Sequence, residues 1–290
     1  MKILVTGATG QFGHTVIESL LKRGLATQLA VSVRDPERAK SYKERGVDVR
    51  RGDFDDSSSL IRAFSGVERL LIISTDGDNA TRIRQHTTAV DAAQKAGVGF
   101  IAYTSISNAS NNPLGLAEVH RATEQAIHAT GIPYAFLRNN WYLENELGFV
   151  QAAMAGAPIR TSARGKVGWA LRADYAQAAA AVLAGSGHEN AIYELSGQLA
   201  TYDDFATALG QVLGHQVPVE YVDDAAYAES LTSAGLPGFV VALFVGFASR
   251  IREGALAVES NDFQKLLGHP ATPLREAFQQ LVPQLSSQAK

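Results

Sequence analysis

Three glycines at regular spacing, Gly7, Gly10 and Gly13, are the first residues of this chain with a chemistry to offer. They follow the apolar run Lys2 to Thr6, which reads as a buried strand. They precede Val16, Ile17, Leu20 and Leu21, which recur at helical spacing. Strand, glycine turn and helix together form the loop that seats the pyrophosphate of a dinucleotide. Gly7 would make the tight turn, Gly10 would let phosphate approach the backbone, and Gly13 would let the helix pack close to the strand. The spacing G-x-x-G-x-x-G makes the loop one residue longer than G-x-G-x-x-G.

Arg34 is the next such residue. It closes a second strand, Gln28 to Val33, where a dinucleotide fold that prefers NAD carries an acid for the ribose 2′-hydroxyl. An arginine there can clamp a 2′-phosphate, which points to NADP. The adjoining Asp35 is the alternative, as a ribose-binding acid. After a third strand, Val47 to Arg51, Asp53 could accept from an adenine amino group beside Phe54, or could cap the next helix. Ser74 and Thr75 follow the fourth strand, Arg69 to Ile73, and are expected near ribose and pyrophosphate.

Short-chain dehydrogenases ordinarily draw their proton from Tyr-x-x-x-Lys on the helix after the fifth strand. None of the nine tyrosines here has a lysine four residues on. The helix in that place carries His120 and Glu124, at i and i+4 on one face. Either they form a proton relay in which His120 titrates near neutrality, or they are an exposed pair. Without a strong acid, an easier acceptor is implied. Hydride addition to a quinone leaves a phenolate-like oxygen with a conjugate acid near tyrosine's, at about 10, which hydrogen bonds or water can satisfy. Positioning would then do most of the catalysis. Asn139, Asn140, Trp141 and Tyr142 end the sixth strand, giving amides for a nicotinamide carboxamide and aromatics for a flat ring. His120 and Tyr142 are the candidates for catalysis. Farther on, Asp174 reads as a helix cap, and Arg172 either faces the cofactor or is structural. Phe239, Phe244 and Phe247 either roof a substrate pocket or belong to a structural helix.

The elements that must position these residues alternate. Strands over Lys2–Thr6, Gln28–Val33, Val47–Arg51, Arg69–Ile73, Phe100–Ser105 and Tyr134–Arg138 are separated by helices, among them Thr81–Lys95 and Leu116–Thr130. The fold class expected is α/β, a doubly wound parallel sheet of the Rossmann type with a small C-terminal α/β lobe. After Trp141 the pattern loosens into helices over Ala176–Leu183 and Tyr202–Leu213 and strands over Ile192–Leu195 and Val217–Val222. Asp223–Arg252 is mostly helical, broken by Gly235 and Pro237, and Asn261–Leu281 holds one or two small helices. A nucleotide-binding domain is expected over 1–142, with segments near 170–200 returning to it, and a substrate-binding lobe over 143–290.

With 46% hydrophobic and 19% charged residues, the 290-residue chain has the balance of an ordinary globular protein. A net charge of −3 argues against nucleic-acid binding, and the absence of cysteine excludes thiolate metal ligands and disulfides. No metal site is expected. The first residues read as a strand rather than a leader, and no apolar run is long enough to cross a bilayer. A cytoplasmic location follows as an expectation, and a homodimer is possible.

Several segments together resemble the NmrA-like group of atypical short-chain dehydrogenases. They are Val5-Thr-Gly-Ala-Thr-Gly-Gln-Phe-Gly13, Val33-Arg-Asp-Pro36, Phe100-Ile-Ala-Tyr-Thr-Ser105, Leu137-Arg-Asn-Asn-Trp-Tyr142, Arg172-Ala-Asp-Tyr175 and Leu266-Leu-Gly-His-Pro270. Within that group the likeness is to the bacterial NADPH:quinone reductase and triphenylmethane-dye reductase type, over nearly the whole chain. The resemblance implies NADPH held by Gly7, Ala8, Thr9, Gly10, Gln11, Phe12, Arg34, the segment after the fourth strand, Asn139 to Tyr142, and Arg172. It implies a substrate between the sheet and the C-terminal lobe. The chain departs from the quinone-reductase pattern at Asn140, where that pattern has Gly, and at Phe12, where it has Leu. The function expected is NADPH-dependent reduction of quinones or similar conjugated acceptors. Reduction of cationic dyes or xenobiotics, or non-catalytic NADP sensing with a protein partner, are the alternatives.

Overall fold

A computed structural model describes residues 1–288; the last two residues of the lobe expected over 143–290 lie outside them. The first half alternates strictly: β1 (Ile3–Thr6), α1 (Gln11–Lys22), β2 (Leu29–Val33), α2 (Lys40–Glu44), β3 (Asp48–Arg51), α3 (Ser57–Phe64), β4 (Arg69–Ile72), α4 (Asn79–Lys95), β5 (Phe100–Ile106), α5 (Ala117–Ala129) and β6 (Tyr134–Asn139). Then come β7 (Trp141–Tyr142), α6 (Leu147–Met154), β8 (Ile159–Thr161), β9 (Trp169–Ala170), α7 (Arg172–Ala184) and β10 (Ala191–Leu195). The chain continues through α8 (Tyr202–Leu213), β11 (Val219–Tyr221), α9 (Asp224–Ser233), α10 (Gly238–Arg252), α11 (Asp262–Leu267) and α12 (Leu274–Gln288).

Seven strands form one parallel sheet in the order β10-β6-β5-β4-β1-β2-β3. Its inner strands β1, β2, β4 and β5 are buried along their whole length, because helices cover both faces. On one face α1 and α7 pack over Ile3, Val5, Leu29 and Val31. On the other, α3, α4 and α5 pack over Leu4, Ala30, Leu70 and Ile72. The edge strand β3 keeps Asp48, Arg50 and Arg51 partly or fully in water, which discourages pairing with another sheet. A separate apolar cluster around Trp169, Phe205 and Phe278 fills the C-terminal part, where β8 pairs with β11 and β7 with β9.

Carboxylates start several helices: Asp56, Asp78 and Asp223 each accept a first-turn amide, and Thr201 forms a capping box with Asp204. Asp56 therefore caps α3, and Asp53 instead accepts from the Asp55 amide at 3.0 Å. Asp174 is a correction. It lies inside α7, in the first turn, and its carboxylate accepts from the Thr272 amide at 3.0 Å and hydroxyl at 2.9 Å. The first amide of α7, on Arg172, is received instead by Glu144 at 2.9 and 3.0 Å, so the helix begins four residues before the expected Ala176. The last helix passes Pro283 and runs on to Gln288, beyond the expected end at Leu281.

Candidate active site

The sheet order reverses between β1 and β4, and the loops after these strands diverge there to leave a crevice, the usual ligand position in such sheets. A cavity of about 690 Å³ occupies it. Gly7 takes φ +61°, a conformation that side chains disfavour. A Cβ at Gly13 would fall onto the Gly7 carbonyl, 2.8 Å from its carbon, so α1 meets the β1 turn without room for a side chain. No side chain caps the first-turn amides of α1, which begins at this cavity. A helix start left open in this way, with its positive dipole end, suits a phosphate.

The opposite wall is the loop after β4, and three side chains pin its consecutive amides. Ile73 N donates to Thr6 Oγ1 at 2.9 Å, Ser74 N to Thr104 Oγ1 at 2.9 Å, and Thr75 N to His86 Nε2 at 2.9 Å. His86 is fully buried, and burial with the nearby Arg82 cation lowers its pKa to about 4. Its ring is therefore neutral at physiological pH, with Nε2 accepting and Nδ1 facing Thr123 Oγ1 at 2.8 Å. Ser74 and Thr75 line the cavity on this rigid loop.

At one end of the cavity stand Arg34 and Arg38, both exposed. Among the described residues neither guanidinium donates a hydrogen bond or pairs with a carboxylate within 4 Å. Asp35 is engaged elsewhere: it caps the short turn Pro36–Ala39, accepting from Glu37 N at 3.1 Å. Asp53 and Phe54 line the same cavity.

Toward β7 the lining is aromatic. Phe12 and Tyr142 stack nearly parallel, at 9° and 6.0 Å between ring centres, and the Arg172 guanidinium lies 5.5 Å over the Tyr142 ring. Asn139, buried at the end of β6, donates from Nδ2 to the Tyr142 hydroxyl at 3.0 Å, and its Oδ1 is buried without a partner. Burial pushes the Tyr142 pKa up to about 12, against the lowering effects of Asn139 and Arg172, so the phenol keeps its proton at neutral pH.

Four expected cofactor residues do not line this cavity. Ala8 is buried beneath the loop, and its carbonyl accepts from Tyr42. Asn139 acts behind Tyr142. Asn140 donates from Nδ2 to Ser196 Oγ at 3.1 Å and to the Leu256 carbonyl at 3.0 Å, tying the sheet to the segment after α10. Trp141 faces a second, apolar cavity of about 280 Å³, shared with Phe244 and Phe247. Phe239 lies outside it and is 78% exposed.

His120 is corrected more sharply. It is buried between α5 and β5, with Nδ1 2.9 Å from the Tyr103 hydroxyl, and burial lowers its pKa to about 3. It does not titrate near neutrality, does not line the large cavity and does not pair with Glu124. Glu124 is buried too, and binds Arg138 through both oxygens, at 2.9 and 2.7 Å, with Ser105 Oγ at 2.6 Å. Arg138 also reaches Glu194 at 3.1 Å. This ion network holds the end of β6, so the His-Glu spacing on α5 is architectural.

The chain matches the NmrA-like family over residues 1–244. It belongs to that family. It is 42% identical over 281 residues to quinone oxidoreductase 2 of Escherichia coli K12, covering 96% of this chain and 98% of the relative. The solved structure of an Escherichia coli NADPH-dependent quinone oxidoreductase complexed with NADPH superposes with a TM-score of 0.91 at 41% identity, over 97% of this chain and 99% of that one. Citrobacter sp. triphenylmethane reductase complexed with NADP(H) gives a TM-score of 0.91 at 39% identity, with the same coverage.

In this NmrA-like chain, several lining residues carry no sequence signal strong enough to find them. Arg38 sits on a short turn one step beyond Arg34, and Gln85 reaches the cavity from α4. Thr104 belongs to a buried strand, and His86, which does not line the cavity but holds the Thr75 amide, lies in the middle of a helix. The only local signal for Arg38 is that it is a second cation in the turn after Arg34. No metal site is formed by His, Asp or Glu among the described residues, and no described helix is long and apolar enough to cross a membrane.

Proposed function

We propose that this protein is an NADPH-dependent reductase of quinones or similar conjugated acceptors. The observation that carries the reading is the paired, unpartnered Arg34 and Arg38 at the cavity end where β2 stops, with Asp35 committed to a backbone amide. That end offers positive charge and withholds the acid an NAD ribose would use, which favours a 2′-phosphate. Two further features fit the dinucleotide. Gly13 leaves no room for a Cβ, and Asn139, behind the lining, fixes the hydroxyl of Tyr142 at the cavity wall. The pairing of this fold with NADPH in the Escherichia coli relative and with NADP(H) in the Citrobacter relative supports the same assignment.

Bound NADPH supplies the hydride. The chain's own residues bind and orient. The α1 start and the amide-pinned loop Ile73 to Thr75 would flank the pyrophosphate and ribose, and Arg34 and Arg38 would hold the 2′-phosphate. Phe12, Tyr142 and Arg172 would set the position of the reactive ring. Tyr142 and Arg172 can donate hydrogen bonds to an oxygen that gains negative charge, and an anion as stable as a phenolate needs no stronger acid. His120, buried and neutral behind β5, has no part in this. The reading includes a cytoplasmic location and a small-molecule acceptor. A homodimer belongs to it as well and is checked by sedimentation. Stopped-flow mixing with NADPH and a panel of quinones tests the function. NADPH that binds tightly but is oxidised by no member of the panel would overturn it in favour of a dinucleotide sensor.

A further inference from the structure

We infer that Tyr42 and His14 position the glycine loop, and that protonation of His14 tightens dinucleotide binding by turning the Tyr42 hydroxyl onto the Ala8 carbonyl. This control rests on the proposed binding of a dinucleotide in the crevice and goes beyond it. Tyr42 comes from α2 and is 5% exposed, beneath the loop between β1 and α1. Its hydroxyl lies 2.5 Å from His14 Nδ1 on α1 and 3.3 Å from the Ala8 carbonyl oxygen. One phenol proton thus faces two acceptors.

The Ala8 carbonyl governs the amide at the other end of its peptide bond. In a planar trans peptide the C=O and N–H point in opposite directions. Ala8 is fully buried and turns its oxygen inward to Tyr42, so the Thr9 N–H points outward. Thr9 is exposed and lines the crevice, and among the described residues its amide donates to no protein group. An amide so placed, beside the uncapped start of α1, is a donor for a phosphate oxygen. A hydrogen bond to the Ala8 carbonyl fixes that peptide plane and polarises its N–H.

His14 decides where the phenol proton goes. It is exposed, and among the described residues its Nε2 has no partner, so the Nδ1 contact sets the tautomer. A phenol is a stronger donor than a neutral ring N–H, and a ring nitrogen is a stronger acceptor than a phenol oxygen. The neutral ring therefore takes the Tyr42 hydroxyl proton as its hydrogen bond, and the Ala8 carbonyl goes without. A proton taken from water onto Nδ1 reverses this: the imidazolium donates to Oη, and the hydroxyl turns to Ala8. Burial holds the Tyr42 pKa above its usual value, so the phenol itself stays protonated. The other charged groups near the pair are Glu18, one turn farther along α1, and Arg45, after α2, which bind each other at 2.5 and 3.0 Å, with Lys22 beyond Glu18. Glu18 attracts a cation at His14, and its own pairing with Arg45 offsets part of that attraction.

Two measurements on the whole protein test this. In the free protein the Thr9 amide nitrogen resonance should follow the same pH titration as the His14 ring, because a bond to the Ala8 carbonyl polarises the peptide that carries it. Tyr42→Phe should make that resonance flat. NADPH affinity is then measured by fluorescence between about pH 5.5 and about pH 8.5, which spans the usual range of histidine. A phosphate monoester also titrates near about pH 6, so wild type is read as a ratio to Tyr42→Phe, in which the ligand's own titration cancels. Wild type should bind about 3- to 10-fold tighter than Tyr42→Phe at the acid end, the worth of one hydrogen bond, and within about twofold of it at the alkaline end. His14→Leu leaves the Ala8 carbonyl as the only protein acceptor for the hydroxyl, and should hold the acid-end advantage at every pH. Should Tyr42→Phe fail to fold, wild type against His14→Leu decides, by whether the ratio changes with pH. A ratio independent of pH, or a Thr9 resonance that ignores His14, would overturn the assignment. Wild type that bound no NADPH would instead overturn the dinucleotide reading, and the Thr9 resonance would still decide this one.

Discussion

If Arg34 and Arg38 read a 2′-phosphate, replacing them should separate NADPH from NADH. Both guanidiniums are exposed and make no hydrogen bond or close ion pair with the protein, so Arg34→Gln removes only a weak longer-range attraction to the exposed Asp55. The melting temperature should not move. A charge-assisted hydrogen bond to phosphate is worth about 1.5–3 kcal/mol, and solvent at an exposed end reduces that to about 1–2 kcal/mol per arginine. NADPH should therefore bind roughly 5- to 30-fold more weakly to Arg34→Gln, with NADH changed less than about twofold. Arg34→Glu adds repulsion and should widen the gap. If both arginines hold one phosphate, the double variant should lose less than the product of the single losses, and the cycle gives the coupling. Fluorescence titration of each nucleotide at two salt concentrations measures all of this, and the NADPH advantage should shrink as salt rises. Equal losses for NADPH and NADH would refute the 2′-phosphate role.

Gly13→Ala should cost roughly 3 kcal/mol or more, or fail to fold, because both backbone segments at the clash are fixed; a wild-type melt with wild-type NADPH affinity would disprove this. His86→Leu removes the acceptor for Thr75 N, so it should speed hydrogen exchange at the Thr75 amide and weaken NADPH, whereas His86→Gln should restore part of both. The histidines also set an acid limit. His86 and His120 have folded pKa values lowered to about 4 and about 3, so below about 6.5 the unfolded chain takes up protons that the folded chain refuses. Stability should fall as pH drops through that window, by up to about 2.7 kcal/mol per pH unit when both histidines contribute, and denaturant midpoints for His120→Gln should show a shallower slope. Glu124→Gln leaves Arg138 buried with only the partly exposed Glu194 as an ionic partner, and should destabilise by about 3–5 kcal/mol in urea unfolding.

The order of strands and helices was legible because each inner strand is covered on two faces and shows as an unbroken apolar run, with glycine and aspartate marking the turns. The glycine loop and Arg34 were legible for the same local reason: their roles depend on residues within a few positions. Asp174 and His120 depart from their expected roles because nothing near them in sequence reveals their partners. Thr272 reaches Asp174 across 98 residues, and Tyr103 engages His120 from the neighbouring strand. The i, i+4 spacing of His120 and Glu124 places them on one helix face, but cannot say that the face is turned to the sheet. Glu146 carries no local signal, since its three donors come from β7, β9 and α8. β11 lies within the strand expected over Val217–Val222, whereas its three-residue partner β8 is too short to produce an alternation and exists through that pairing.

A two-residue strand joins the two cavities. Successive side chains of a strand point to opposite faces, so Tyr142 turns to Phe12 and Arg172 in the nucleotide crevice while Trp141 turns to Phe247 and Glu146 in the lobe. A slip of one residue would exchange these faces and empty both sites of their aromatic wall. The strand is too short for its own pairing to prevent this, with only Trp141↔Trp169 and Tyr142↔Ala170 in register. Its side chains supply the rest of the restraint: Trp141 Nε1 is held by Glu146, and the Tyr142 hydroxyl is held by Asn139. The residues that define the two cavities are thus the same ones that fix the register of β7. A change at Glu146, which holds the Trp141 ring, would bear on Tyr142 through a single peptide unit, so Glu146→Gln should weaken NADPH binding in a fluorescence titration, and an unchanged affinity would refute that coupling.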